Sequence, residues 1–122
     1  MAIIILNVTR QAVLAKKARL ARTFFQRFSG WMGRRATGME EALVLFPCQV
    51  IHTCFLKFHL DVVFVDAEGR VLFTLADLPP FRFSPFIRNA RAVIELPAGR
   101  LEQTGTAPGD RLVFVDREEL YD

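Results

Sequence analysis

The chain has 122 residues, 52% of them apolar, with 16 Lys/Arg, 13 Asp/Glu and a formal net charge of +3. That length suits one domain, 1–122, with a buried core, and no apolar run approaches the ~18 residues of a membrane-spanning helix. The charge is uneven: residues 1–60 hold nine Lys/Arg against two acids, a net of +7, and residues 61–122 hold seven against eleven, a net of −4.

Residues 2–9 read as a first strand, because Ile3, Ile4, Ile5 and Val8 are β-branched. Residues 13–21 alternate weakly around Lys16, Lys17 and Arg19 and read as a second. Thr23 with Gln26 three residues on is a capping-box pattern, in which each side chain satisfies the other's free backbone N–H. Phe24, Phe25, Phe28, Trp31 and Met32 follow at helical spacing, so a short helix is expected over 24–32, with Gly30 and Gly33 offering stops. Residues 34–41 form a polar turn, and 42–46 a buried strand ended by Pro47. Strands are expected at 50–55 and 62–66, the latter in a hairpin with 71–76 through a turn at Gly69. Residues 78–88, with three prolines and three phenylalanines, read as a loop packed down by Phe81, Phe83 and Phe86. Strands at 90–96 and 111–115 flank a helical turn at 100–104 and a turn at 107–110. The fold class is α+β: a mostly antiparallel, barrel-like sheet of about seven to eight short strands with one or two short helices.

The first seven residues lack the basic start and cleavage site of a secretory leader, so a cytoplasmic location is expected. Two cysteines make no disulfide framework and would be thiols there. The basic first half attracts anions in principle, but no nucleic-acid-binding motif accompanies it, so no nucleic-acid partner is expected.

Four ordered elements resemble the bacterial and archaeal family called domain of unknown function family 192. They are the helix running into Gly30-Trp31-Met32-Gly33-Arg34, the strand at 42–46, the stretch Pro47-Cys48-x-x-Ile51-His52-Thr53 continuing to Phe58-x-x-Asp61-Val62, and Ala92 to Gly99 followed by Gly109-Asp110. The third resembles a sub-group with a Pro-Cys-x-x-Val-His-Thr element. The resemblance covers about 21–114, with Trp31 at a usual Leu, Leu56 at a usual Met and His59 at a usual Pro position. It implies a compact α/β domain with no established activity.

Both histidines and both cysteines fall between Cys48 and His59, among residues that are ordinarily buried. Buried polar groups need partners. His52 shares strand parity with Cys48 and Cys54, but ligands two apart on a straight strand converge poorly and no fourth ligand is evident. No metal and no cofactor are expected. His52 reads either as a core histidine holding a carbonyl or as a ligand-facing group. Thr53 and Asp61 have the opposite parity unless the chain bends. Arg34 follows the helix end, where it would pair with Asp61 or Glu95 or bind an anion. Glu95 alternates with apolar residues in its strand. Cys48 with His52 lacks a third catalytic residue, and no hydrolase, nucleotide or metalloprotease motif is present.

The expectation is a non-catalytic module that binds an unknown small ligand or protein segment at a polar cleft. Its candidate residues are Arg34, His52, Thr53, Asp61 and Glu95, with the 79–86 loop as rim. The rival is a small enzyme using His52 as acid or base oriented by Asp61.

Overall fold

The structure is a computed structural model and describes residues 3–118. Strand β1 (Ile3–Asn7) turns into the long β2 (Ala12–Ala21), and helix α1 (Phe24–Ser29) follows. Strands β3 (Glu41–Leu45), β4 (Leu60–Val65), β5 (Val71–Leu78) and β6 (Ala92–Pro97) come next, then helix α2 (Arg100–Thr104) and β7 (Leu112–Asp116). They form one seven-stranded sheet in the order β5-β4-β6-β3-β2-β1-β7. Every pairing is antiparallel except β2 with β3, so the mixed sheet fits the expected α+β class.

The sheet curls into a half-barrel, and both faces of its central strands are apolar. Alternate residues of β3, β4 and β6 feed opposite clusters. Ala42, Val44, Val63, Val65, Ile94 and Leu96 join Ile5, Leu14 and Leu112 on one side, under Leu101 of α2. Leu43, Leu45, Val62, Phe64 and Val93 form the other face, covered by Trp31, Ile51, Leu56 and Ala90 from the connecting segments. This double burial explains why β4 and β6 are buried at every position.

The curl is held at the β4–β5 turn. Asp66 Oδ1 accepts the backbone N–H groups of Glu68 and Arg70, and Leu112 N–H of β7 donates to the Gly69 carbonyl at 2.8 Å. A Cβ at Gly69 would stand 2.3 Å from the Leu112 carbonyl oxygen, and φ there is +83°. Only glycine fits both requirements.

The capping box at α1 is complete: Gln26 N–H donates to Thr23 Oγ1 at 3.0 Å, and Thr23 N–H donates to Gln26 Oε1 at 3.2 Å. Thr23→Ala is expected to cost about 1 kcal/mol. A shift in the urea midpoint at unchanged slope would register it, and an unchanged midpoint would count against the cap.

Three expectations need correction. The helix ends at Ser29, short of Met32, because Gly30 leaves helical geometry with φ 44°. Its aromatic face is only partly buried: Trp31 is buried, whereas Phe25 and Phe28 are exposed, and the side chain of Phe24 lies outside what is described. The 50–55 segment is not a strand; it makes a single bridge, His52 with Phe83. The 78–88 loop is not packed down by its phenylalanines, which are 61%, 74% and 62% exposed at Phe81, Phe83 and Phe86. Its backbone is instead zipped to 49–53, as described below. Among the described residues, no helix is long and apolar enough to cross a membrane.

Candidate functional site: an aromatic-walled cleft

The segments around Pro47 and Ser84 lie over the second face of the sheet and are joined by a short ladder. Ile87 N–H donates to the Gln49 carbonyl, Ser84 N–H to Ile51, Thr53 N–H to Arg82, and Phe81 N–H to Thr53, at 2.8–3.0 Å. Ile51 N–H donates to Ser84 Oγ at 2.9 Å. Thr53 is the pin of this ladder. It is fully buried, its Oγ1 donates to the Pro79 carbonyl at 2.7 Å, and it accepts Arg82 N–H at 2.9 Å.

Between this ladder and α1 opens a cleft of about 520 Å³. Phe28 and Phe86 wall it, Arg27 and Arg91 stand at it, and Cys48, Val50 and His52 line it. No carboxylate is among its lining residues. Arg91 also lies over the Phe46 ring, 5.0 Å from its centroid. Cys48 is a free thiol that donates to the Val50 carbonyl, and burial pushes its pKa up. It is therefore a thiol rather than a thiolate nucleophile.

His52 is half-buried between Phe28 and Phe83, with ring centroids 5.3 and 6.3 Å away. Its Nδ1 accepts the backbone N–H of Cys54 at 3.1 Å. The hydrogen-bond pattern thus assigns the ring proton to Nε2. That Nε2 is buried with no hydrogen-bond partner. A covered donor without an acceptor costs free energy.

Of the five candidate residues, His52 alone lines the cleft. Arg34 turns to Glu41 in a bidentate pair at 2.8 and 2.9 Å, and Gly38 N–H donates to the same carboxylate. The Arg34 hydrogen bonds hold the Glu41 carboxyl at about 2, below the usual carboxylate range. The pair fixes the 30–41 loop, and with it Trp31, whose ring has Arg34 on it at 5.0 Å and Arg19 at 5.3 Å.

Asp61 belongs elsewhere. Its neighbours Leu60 and Val62 face the cleft side of the sheet, so its own side chain points to the other side. There Oδ1 accepts Asp77 N–H at 2.8 Å, and Oδ2 accepts the N–H groups of Gly99 and Leu101 at 3.0 and 2.8 Å. Gly99 has no side chain to cap α2, and Asp61 supplies the carboxylate from across the sheet. The expected single site of His52 and Asp61 is therefore not formed, because β4 turns Asp61 to the face opposite the one that the segment carrying His52 covers.

Glu95 does share the cleft's side of the sheet, opposite Leu43 and Val62, but lies in the core beneath. It is 4% exposed, and burial pushes its carboxyl up to about 8. Trp31 is near enough to oppose the shift, yet its buried Nε1–H meets no acceptor at hydrogen-bonding geometry. The carboxyl is therefore neutral at pH 7 and does not offset the arginines of the cleft.

Sequence reasoning placed the 79–86 loop, and with it Phe86, at the rim, but missed Arg27, Phe28 and Arg91 as cleft residues. Their signal was present, since α1 and the 79–91 loop both interleave Phe with Arg and contain no acid. It also missed a buried polar knot that closes the other end of the sheet. Asn7 Nδ2 donates to Thr106 Oγ1 and Asp110 Oδ2, both at 3.0 Å, and Arg10 and Ala107 N–H bond the same carboxylate. Two of the exposed phenylalanines, Phe55 and Phe81, sit at φ 66° and 61°. A bulky residue there costs on the order of 1–2 kcal/mol, so the fold tolerates strain to place these rings.

The DUF192 family, described as uncharacterized ACR, matches residues 5–114. The chain belongs to this family. Within the wider group, a UPF0127 protein of Pyrococcus furiosus is 30% identical over 110 residues, covering 88% of this chain and 94% of its own length. A UPF0127 protein of Thermococcus sibiricus is 30% identical over 121 residues, covering 94% of this chain and 77% of its own. A crystal structure of a protein of unknown function from Novosphingobium aromaticivorans superposes with a TM-score of 0.79 at 25% identity, covering 91% of this chain and 82% of that one. The fold of this DUF192 domain is thus shared with a distantly similar structure, while the family description carries no reaction. Function has to be argued from the site itself.

Proposed function

We propose that this DUF192 domain is a non-catalytic binding module whose cleft takes an apolar ligand or protein segment carrying a carboxylate or similar anion. One observation carries the reading: aromatic walls, two arginines and a histidine line a cleft with no carboxylate among its lining residues. Apolar walls with a few polar anchors are the usual make-up of a ligand site. The acid–base alternative has lost its orienting group, because Asp61 is engaged at α2 on the other face. Free thiols at Cys48 and Cys54 fit the cytoplasmic location that belongs to this proposal. Membership of the sub-group with a Pro-Cys-x-x-Val-His-Thr element is also part of this proposal; the residues that carry it here include Pro47, Cys48 and His52, which form one side of the cleft.

The test is a ligand titration followed by NMR, using aryl-alkyl carboxylates and their neutral amides as probes. Carboxylates are expected to shift resonances of Phe28, His52 and Phe86, and amides are not. Arg27→Ala and Arg91→Ala should each weaken binding about tenfold, the loss of one charge-assisted hydrogen bond. His52→Ala should weaken it with little change in the unfolding midpoint. Equal response to acid and amide, or none at the cleft, would sink the proposal.

A further inference from the structure

Six phenylalanines project from three segments around the cleft: Phe25 and Phe28 from 22–29, Phe55 from 47–59, and Phe81, Phe83 and Phe86 from 79–91. Their exposures run from 49% at Phe28 to 75% at Phe25. Contacts tie them into two groups carried by the same adjoining segments. Phe28 and Phe83 both lean on His52, Phe55 meets Phe81 edge-on at 5.9 Å, and Phe86 shares the cleft with Phe28. Phe25 stands one turn before Phe28. An exposed apolar patch of this kind marks an interaction surface.

The same three segments contain no Asp or Glu, yet carry Arg22, Arg27, Lys57, Arg82, Arg88 and Arg91. The ion pairs found among the described residues are Arg10–Asp110, Lys16–Glu40, Arg34–Glu41 and His59–Asp77, and none uses these six cations. The surface therefore offers apolar rings and positive charge together, with no acid on its own segments.

We propose that this face docks on an anionic phospholipid bilayer, with the phenylalanines entering the headgroup–acyl boundary and the cations facing lipid phosphates. Such interfacial binding needs buried apolar side chains and basic residues around them. A strand-like peptide fits less well, because the backbone groups of 49–53 and 81–87 are already used on each other. Single-stranded nucleic acid fits less well too, because bases stack on open ring faces. Here Phe55 and Phe81 pack edge-to-face, and Phe28 and Phe83 tilt against His52 by 46° and 47°. A bilayer asks only for apolar volume and charge. It also gives a use for the strained positions: Phe55 and Phe81 hold positive φ with their rings in solvent.

The test is co-sedimentation of the full chain with vesicles of phosphatidylcholine alone and of phosphatidylcholine mixed with phosphatidylglycerol. Binding to the mixed vesicles, weakened by added salt, is expected, with little binding to phosphatidylcholine alone. The double variant Phe25→Ser, Phe83→Ser should reduce partitioning about tenfold or more. The double variant Arg82→Glu, Arg88→Glu should reduce it comparably. Thermal melts verify that both variants fold, as all four side chains are exposed. These four residues do not line the cleft, so the carboxylate titration above succeeds or fails independently. Absence of binding to either vesicle overturns the inference. So does binding that the phenylalanine variant leaves unchanged, or binding to polyglutamate or oligothymidine in place of vesicles.

Discussion

Asp61→Ala is expected to destabilise the fold by on the order of 3–5 kcal/mol, the largest loss from any single polar side chain described above. The carboxylate is 1% exposed and accepts three backbone N–H groups, from Asp77, Gly99 and Leu101. Removing it leaves the buried Leu101 N–H without an acceptor, at roughly 1–3 kcal/mol, and takes the same acceptor from the N–H groups of Asp77 and Gly99, which lie on exposed residues. It also removes the carboxylate that accepts N–H groups at the start of α2, whose N-cap is a glycine making no side-chain cap. Asp61→Asn keeps one acceptor oxygen and should lose about half as much. Urea denaturation of the three forms decides it. A loss below about 1 kcal/mol in the alanine variant would mean that water replaces the carboxylate and that α2 does not depend on it. Because Asp61 faces away from the cleft, ligand binding by the folded Asn variant should match wild type.

Glu95 is expected to make stability fall as pH rises through neutrality. Burial raises its pKa from the ordinary 4.5 to about 8 in the folded chain. A raised carboxyl pKa means that the folded state holds the proton more tightly than the unfolded state. Its contribution is therefore full below about 4.5, declines between about 4.5 and 8, and levels off above. That gap corresponds to roughly 4–5 kcal/mol at about 1.4 kcal/mol per pH unit, an upper figure if water reaches the ionised group. Glu41 acts in the opposite sense, but its pKa of about 2 confines that effect to acid below the ordinary carboxylate range. The two windows do not overlap. Glu95→Gln should abolish the decline, matching wild type near pH 5 and exceeding it near pH 9. Urea midpoints across that interval are the measurement, and equal pH profiles for the two proteins would refute the buried neutral carboxyl.

Local signals were legible in the sequence. The Thr23–Gln26 capping box, the Gly69 hairpin turn, the β-branched first strand and the helical turn after Gly99 all appear where the residues place them. Each depends on groups within a few positions of one another, so the chain specifies it before any distant contact forms. The family motif was legible too, since four ordered elements lie within the matched 5–114. Counting along one strand put Asp61 on the side away from His52; the structure also separates them, though His52 lies in a connecting segment and not in a strand. Within β4, Asp61 lies between Leu60 and Val62 and points to the face opposite theirs, despite a register irregularity in the pairing with β5 there.

What lay above each face was decided only in three dimensions. Asp61 reaches Gly99 and Leu101 because β4 and β6 are neighbours, with Asp61 paired to Leu96 just before the turn into α2. Nothing near Asp61 in the chain encodes that. The 50–55 segment has strand-like residues but no free sheet edge beside it, so it zips to 81–87 and frees three phenylalanines from the core. Hydrophobicity alone predicted that those rings would be buried. They are exposed because Trp31, Ile51, Leu56 and Ala90 already fill the space over β3, β4 and β6. The residue types were written in the sequence; which of them the core had room for was set by how the half-barrel closed.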